Sequence, residues 1–142
     1  MKKLLLYSVI LLAFSACSQT YDVVVVGGGT GGTAAAIEAA RGGAKTLVVE
    51  EGTWLGGVLT SAGVSAVDGN YRLRGGIFGE FADSLAARYG GYDVLRSGWV
   101  SNILFNPRVG AGIFSSIAAE AGVEVKFGTK VTDIGQIGRA HV

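Results

Sequence analysis

The chain has 142 residues, enough for one domain with a real core, and 49% are apolar, which excludes a disordered or collagen-like chain. Charged residues are 16% and the formal net charge is +1, so no basic patch points to a nucleic-acid partner. One Cys and one His give no cluster to hold a metal or an iron–sulfur centre and no pair for an internal disulfide, while Gly, at 24 residues, is the outlier.

Lys2 and Lys3 precede an apolar run from Leu4 to Phe14, and small residues follow at Ser15, Ala16, Cys17 and Ser18. That is the layout of a secretory signal over residues 1–16. The run is about half of the ~20 residues a spanning helix needs, so a permanent transmembrane helix is not expected. Phe14-Ser15-Ala16-Cys17 resembles a bacterial lipobox, with Phe14 where Leu is usual. The resemblance implies lipidation of Cys17, a linker over residues 17–20, and a lipid anchor on a bacterial membrane facing the periplasm or the cell surface. The other reading is an ordinary signal cleaved near Ala16 or Ser18, which leaves a soluble periplasmic protein. No twin-Arg signal is present.

Tyr21 to Val26 is an apolar, β-branched run, and its four valines read as a strand buried on both faces of a parallel sheet. Gly27-Gly28-Gly29-Thr30-Gly31-Gly32 follows at once and satisfies G-x-G-x-x-G at Gly27, Gly29 and Gly32. Thr33 to Arg41 is Ala-rich and helix-favouring, and Gly42-Gly43 ends it. Lys45 to Val49 reads as a second strand, with Glu50 at its tip.

The mechanics of a dinucleotide site explain this pattern. Gly27 makes the tight turn out of the strand, and Gly29 lets the backbone approach a pyrophosphate. Gly32 lets the helix pack on the sheet, helped by Ala35, Ala36 and Ala39. The helix N-terminus offers free N–H groups and partial positive charge, so Gly28, Thr30 and Gly31 are candidate contacts as well. Glu50, 18 residues after Gly32, is placed to accept ribose hydroxyls, and Glu51 reads as its solvated neighbour. The fold expected is a Rossmann-like α/β domain for FAD or NAD(P), and the βαβ unit alone does not choose between them.

The segment from Glu50 to Val64 closely resembles FAD-dependent oxidoreductases that continue E-x(5)-GG-x-LTS, the flavoproteins similar to heterodisulfide reductase included. The resemblance implies FAD as cofactor. It implies that Gly56 and Gly57 let a loop approach the diphosphate, and that Leu59, Thr60 and Ser61 run on toward the flavin. It extends over roughly Tyr21 to Asp133. In Ala121 to Val131 it implies a strand returning to the nucleotide domain, with the backbone near Val131 beside the adenine. Iron–sulfur members carry cysteine ligands that have no counterpart here.

Further along, Ile77, Phe78, Phe81, Ala82 and Leu85 share one face of a helix that stops at Tyr89-Gly90-Gly91. Asn106-Pro107 starts another, with Asn106 as cap, Val109, Ile113 and Ile117 on one face, and Gly122 at its end. Val123 to Phe127 alternates as a strand, and Thr129 to Asp133 reads as the start of one more. Arg72 and Arg74 are solvated loop charges or face an anion, and Trp54, Trp99 and Phe105 read as core or interdomain surface.

Ile137 to Val142 reads as a translated sequencing adapter, which removes His141 from consideration as a base. On that reading the FAD-binding domain, residues 21–136, is truncated and its sheet incomplete at the C-terminus. Such a piece is expected to be aggregation-prone, inactive by itself and a weak holder of FAD. Without Lys2, Lys3 and Arg139, nine basic residues stand against eleven acidic ones, a charge of about −2. The function expected is flavin-mediated hydride or electron transfer, with substrate, redox partner and catalytic residues unknown. A non-catalytic flavin- or nucleotide-binding lipoprotein and an NAD-dependent dehydrogenase stand as alternatives.

Overall fold

A computed structural model describes residues 20–67, 69, 72, 74–96 and 102–135. The signal segment, Cys17, Trp99 and the terminal hexapeptide lie outside the described residues. Among the described residues no helix is long and apolar enough to cross a membrane.

The valine run forms β1, Val23–Val26, and the glycine turn leads into α1, Thr30–Arg41. Strand β2 is Thr46–Val49. A short 3-10 turn, Gly57–Leu59, precedes β3, Ala66–Val67. Helix α2 is Gly76–Tyr89, followed by a 3-10 turn at Tyr92–Leu95 and β4, Ile103–Leu104. Helix α3, Pro107–Glu120, and β5, Glu124–Lys126, complete the order. Strands β1, β2 and β5 form a parallel sheet in that order, with Val25 opposite Val48 and Val48 opposite Val125. Strands β3 and β4 pair antiparallel as a separate ribbon. The architecture is α/β with a parallel sheet, as the strand–glycine–helix–strand pattern requires.

Helix α3 begins and helix α2 ends where their capping residues place them. The Asn106 side chain accepts from the Arg108 amide at 2.9 Å, with Pro107 at the first helical position. Gly90 takes the left-handed conformation, φ 90°, that closes α2. The apolar faces of α2 and α3 meet in a core where Phe81 stacks on Phe114, with centroids 4.2 Å apart, and meets Phe105 edge-on at 5.3 Å. Ile37, Val48, Leu55 and Leu85 are fully buried in the same cluster.

Four expectations are corrected. Strand β1 is not buried on both faces: Val24 and Val26 are 52% and 55% exposed. Among the described strands β1 is the edge of the sheet, and only Val23 and Val25 turn toward α1, whereas β2, flanked on both sides, is buried at all four positions. Thr129 to Asp133 forms no strand. The amides of Gly128 and Thr129 donate to the carbonyls of Gly52 and Glu50, so the chain turns across the end of β2 instead of running beside it. Helix α1 starts at Thr30, inside the glycine motif, not at Thr33. Its buried face is Thr33, Ala36 and Ile37, while Ala35 points to solvent.

Arg41, in the last turn of α1, makes a two-pronged pair with Glu80 of α2, both N–O distances being 2.7 Å. The Arg41 hydrogen bonds hold the Glu80 carboxyl below its ordinary value of 4.5. A lowered carboxyl contributes stability that is fully present above that value and is lost as pH falls through the folded one. The pair is largely exposed, so its contribution is small and salt-sensitive. Glu80→Gln should therefore lower the melting temperature slightly at pH 7 in low salt, and the difference from wild type should shrink as the pH is taken below 4.5. Thermal melts at the two pH values check this.

Candidate functional site

The site is built where β1 and β2 end and two glycine loops meet. Gly27, at φ 91°, turns the chain out of β1 while its amide donates to the Val49 carbonyl at 2.8 Å. The first turn of α1 then folds back on that turn. A Cβ on Gly32 would lie 2.1 Å from the Gly27 carbonyl oxygen, so no side chain fits there. The Thr33 hydroxyl, fully buried, donates to the Gly28 carbonyl at 2.9 Å and fixes the turn from below.

Glu50 closes this arrangement. One carboxylate oxygen accepts from the Gly28 amide at 2.5 Å, and the other accepts from the Gly52 amide at 2.6 Å. Each oxygen keeps a second lone pair, so the carboxylate can still accept from a ligand hydroxyl. Glu50 also lines a cavity of about 320 Å³ formed by Val26–Gly27, Val49–Glu51 and Thr129–Val131. Val131 thus stands at the same opening as Glu50. Thr129 and Lys130 stand there too, and residue spacing gives no sign of them, because their arrival depends on the turn after β5. Glu51 is solvated as expected and also pairs with Lys130 at 3.7 Å.

The second glycine loop packs directly on the first. The Gly56 amide donates to the Gly28 carbonyl at 2.8 Å, and the Thr30 hydroxyl donates to the Gly56 carbonyl at 2.8 Å. A Cβ on Gly57 would lie 2.8 Å from the Gly29 Cα, and one on Gly56 would strike the Phe114 ring at 2.6 Å. The Gly56-Gly57 pair therefore lets this loop approach the backbone of the first loop. Thr60 is buried and donates to the Leu55 carbonyl at 2.6 Å, so its hydroxyl secures the loop from inside. Leu59 packs partly on the core.

The outer surface of the first loop is open. A Cβ added to Gly29 or Gly31 would meet nothing within 4 Å. Helix α1 has no side-chain cap and no acidic residue in its own first turn, and the Glu50 carboxylate is bound to the Gly28 amide ahead of the helix. Residues that fill the inside of the turn and leave its outside empty fit a dinucleotide whose diphosphate lies against backbone amides. Among the described residues no group of His, Cys, Asp and Glu is placed to hold a metal ion.

Comparison with known proteins agrees with this geometry. A family model described as FAD dependent oxidoreductase matches residues 22–142. Among solved structures, AlpK is 25% identical with a TM-score of 0.54, the match covering 84% of this chain and 26% of that one. THI4 of Thermovibrio ammonificans is 20% identical with a TM-score of 0.46 over 90% of this chain and 47% of that one. OxyS anhydrotetracycline hydroxylase from Streptomyces rimosus is 23% identical with a TM-score of 0.40 over 76% of this chain and 24% of that one. The chain thus spans between about a quarter and a half of the length of these structures. No curated protein matches it by sequence.

Two glycine substitutions separate ligand space from folding space. Gly29→Val places its side chain in the open region and should cost about 1 kcal/mol or less of stability at this cap position. It should reduce retained dinucleotide by at least roughly tenfold, since the side chain takes the room the diphosphate needs. Gly32→Ala collides with the Gly27 carbonyl and should destabilise the apoprotein by about 1–3 kcal/mol. Denaturant melts of the two apoproteins, with cofactor content measured after purification, check both. A fully loaded Gly29→Val protein would contradict the site.

Proposed function

The chain belongs to the FAD dependent oxidoreductase family, and from that premise we propose that it is the nucleotide-binding part of an exported flavoprotein that transfers a hydride or electrons. FAD is the cofactor of the family, and when bound it supplies the redox chemistry at its ring. The residues of this chain bind and orient it. The first-turn amides of α1 receive the diphosphate, and Glu50 accepts from ribose hydroxyls with its outward lone pairs. The opening at Thr129–Val131 receives the adenine side. The loop from Gly56 to Ser61 passes on toward the ring.

The observation that carries this reading is the one-sided packing of the glycine turn, closed inside at Gly32 and open outside at Gly29 and Gly31. Within the family we place the chain beside the flavoproteins similar to heterodisulfide reductase, on the run from Glu50 to Ser61.

We propose further that the protein is exported and anchored by lipid on Cys17, with residues 1–16 removed. The support is the basic, apolar and small-residue order of that segment and the position of the chain's one cysteine. Without a twin-Arg signal, the flavin is taken up after export.

The whole flavoprotein of which this chain is the nucleotide-binding part should purify yellow and should release FAD when denatured, identified by chromatography against FMN and NAD standards. Release of FMN alone, or of NAD, contradicts the reading. In a bacterial host, labelled palmitate should enter the wild type and not Cys17→Ser, whereas equal labelling of both returns the segment to an ordinary cleaved signal.

A further inference from the structure

Gly56, in the second glycine loop, is held at both of its backbone groups by the neighbours of Gly29. Its amide donates to the Gly28 carbonyl at 2.8 Å, and its carbonyl accepts from the Thr30 hydroxyl at 2.8 Å. Gly29 and Gly56 stand opposite each other as partners in a parallel bridge. Thr30 supplies the one side chain in this grip. We propose that Thr30 is a positioning residue, whose hydroxyl clasps the second glycine loop to the first turn of α1 so that the two loops present one fixed surface to the diphosphate. This role rests on the dinucleotide site proposed above.

Burial separates Thr30 from the other threonines of the site. Thr33 and Thr60 are each 1% exposed, and each hydroxyl bonds inside its own stretch of chain, to the Gly28 and Leu55 carbonyls. Thr30 is exposed, beside the two glycines whose outer side is open, and its bond joins residues 26 apart in the sequence. An exposed side chain adds little to the core, so the effect of this bond falls on how the loops stand to each other.

The second loop has other hydrogen bonds, but they shape it from within. The Leu59 amide donates to the Gly56 carbonyl at 3.2 Å, and the Thr60 and Ala62 amides donate to the Gly57 carbonyl at 3.0 and 3.1 Å. Among the described residues, the hydrogen bonds between residues 27–32 and residues 56–61 both meet at Gly56. Gly56 and Gly57 have φ of 102° and 51°, and neither carries a side chain that would restrict its backbone. An unclasped glycine pair has more conformations to lose when a ligand binds, and that loss weakens binding. Clasping it in advance removes this cost before the diphosphate arrives.

The test uses the whole protein with its flavin removed, as wild type, Thr30→Val and Thr30→Ser. Valine keeps the branched shape without the hydroxyl, and serine keeps the hydroxyl. Hydrogen exchange read by mass spectrometry should be roughly fivefold faster over residues 56–63 in Thr30→Val, with Thr30→Ser close to wild type. Exchange in α2 and α3 should be the same in all three. Titration of the same apoproteins with FAD should show roughly fivefold weaker binding for Thr30→Val and near wild-type binding for Thr30→Ser. Wild-type exchange in Thr30→Val overturns the clasp, and if its FAD binding is nonetheless weaker, the hydroxyl acts on the ligand itself. Faster exchange that spreads through α2 and α3 overturns the proposal as well, since the effect is then a general loss of stability. Faster loop exchange with unaltered FAD binding overturns the positioning role. If the wild type binds no FAD, the proposed function fails, and the exchange measurement still decides the clasp.

Discussion

The site depends on one carboxylate at the end of a strand. Glu50 accepts from the Gly28 amide of one glycine loop and from the Gly52 amide of its own turn. Its backbone amide donates to the Lys126 carbonyl of β5, and its carbonyl accepts from Thr129. A single residue thus joins the phosphate-side turn, the loop that carries Gly56-Gly57 and the segment that closes the adjacent cavity. Hydrogen bonds to a charged acceptor contribute about 1.5–3 kcal/mol each and leave a heavier cost when the acceptor is removed. Loss of the Glu50 side chain would therefore loosen the shape of the site as well as remove the proposed ribose contact.

The glycines around it divide by what surrounds them. At Gly32 and Gly57 the missing side chain is replaced by protein backbone, which makes these positions requirements of the fold. At Gly29 and Gly31 it is replaced by open space at the positive end of α1, the place of the proposed ligand. The same six-residue motif carries both kinds, so a match to its spacing does not say which glycine serves which purpose. Packing does. The buried hydroxyls of Thr33 and Thr60 hold the two loops from the inside.

Much of this is legible in the sequence because the signals are local. The valine strand, the glycine turn, the Asn106-Pro107 helix start and the Gly90 stop each depend on neighbours a few residues away. What the sequence hides depends on partners far along the chain. Four successive valines look the same in a central strand and in an edge strand, so the exposure of Val24 and Val26 follows from sheet order and not from composition. Thr129 to Asp133 has strand-like residues, yet its first amide is drawn to the Glu50 carbonyl across the sheet end. Glu50 stands out by its spacing. Its hold on Gly28 and Gly52 does not, since spacing says nothing about where a carboxylate turns. Arg72 and Arg74 likewise look like loop charges, yet both line one cavity with Arg96, more than twenty residues later.

The outer face of the glycine turn is the proposed seat of a dinucleotide, with Glu50 at the ribose. A crystal structure of the protein with FAD bound tests it most directly. The diphosphate is expected within hydrogen-bond distance of the Thr30 and Gly31 amides, with the adenosine ribose on Glu50 and the adenine against Val131. Density for the diphosphate at any other part of the surface, with the Gly29–Gly31 face in contact with solvent, would contradict it.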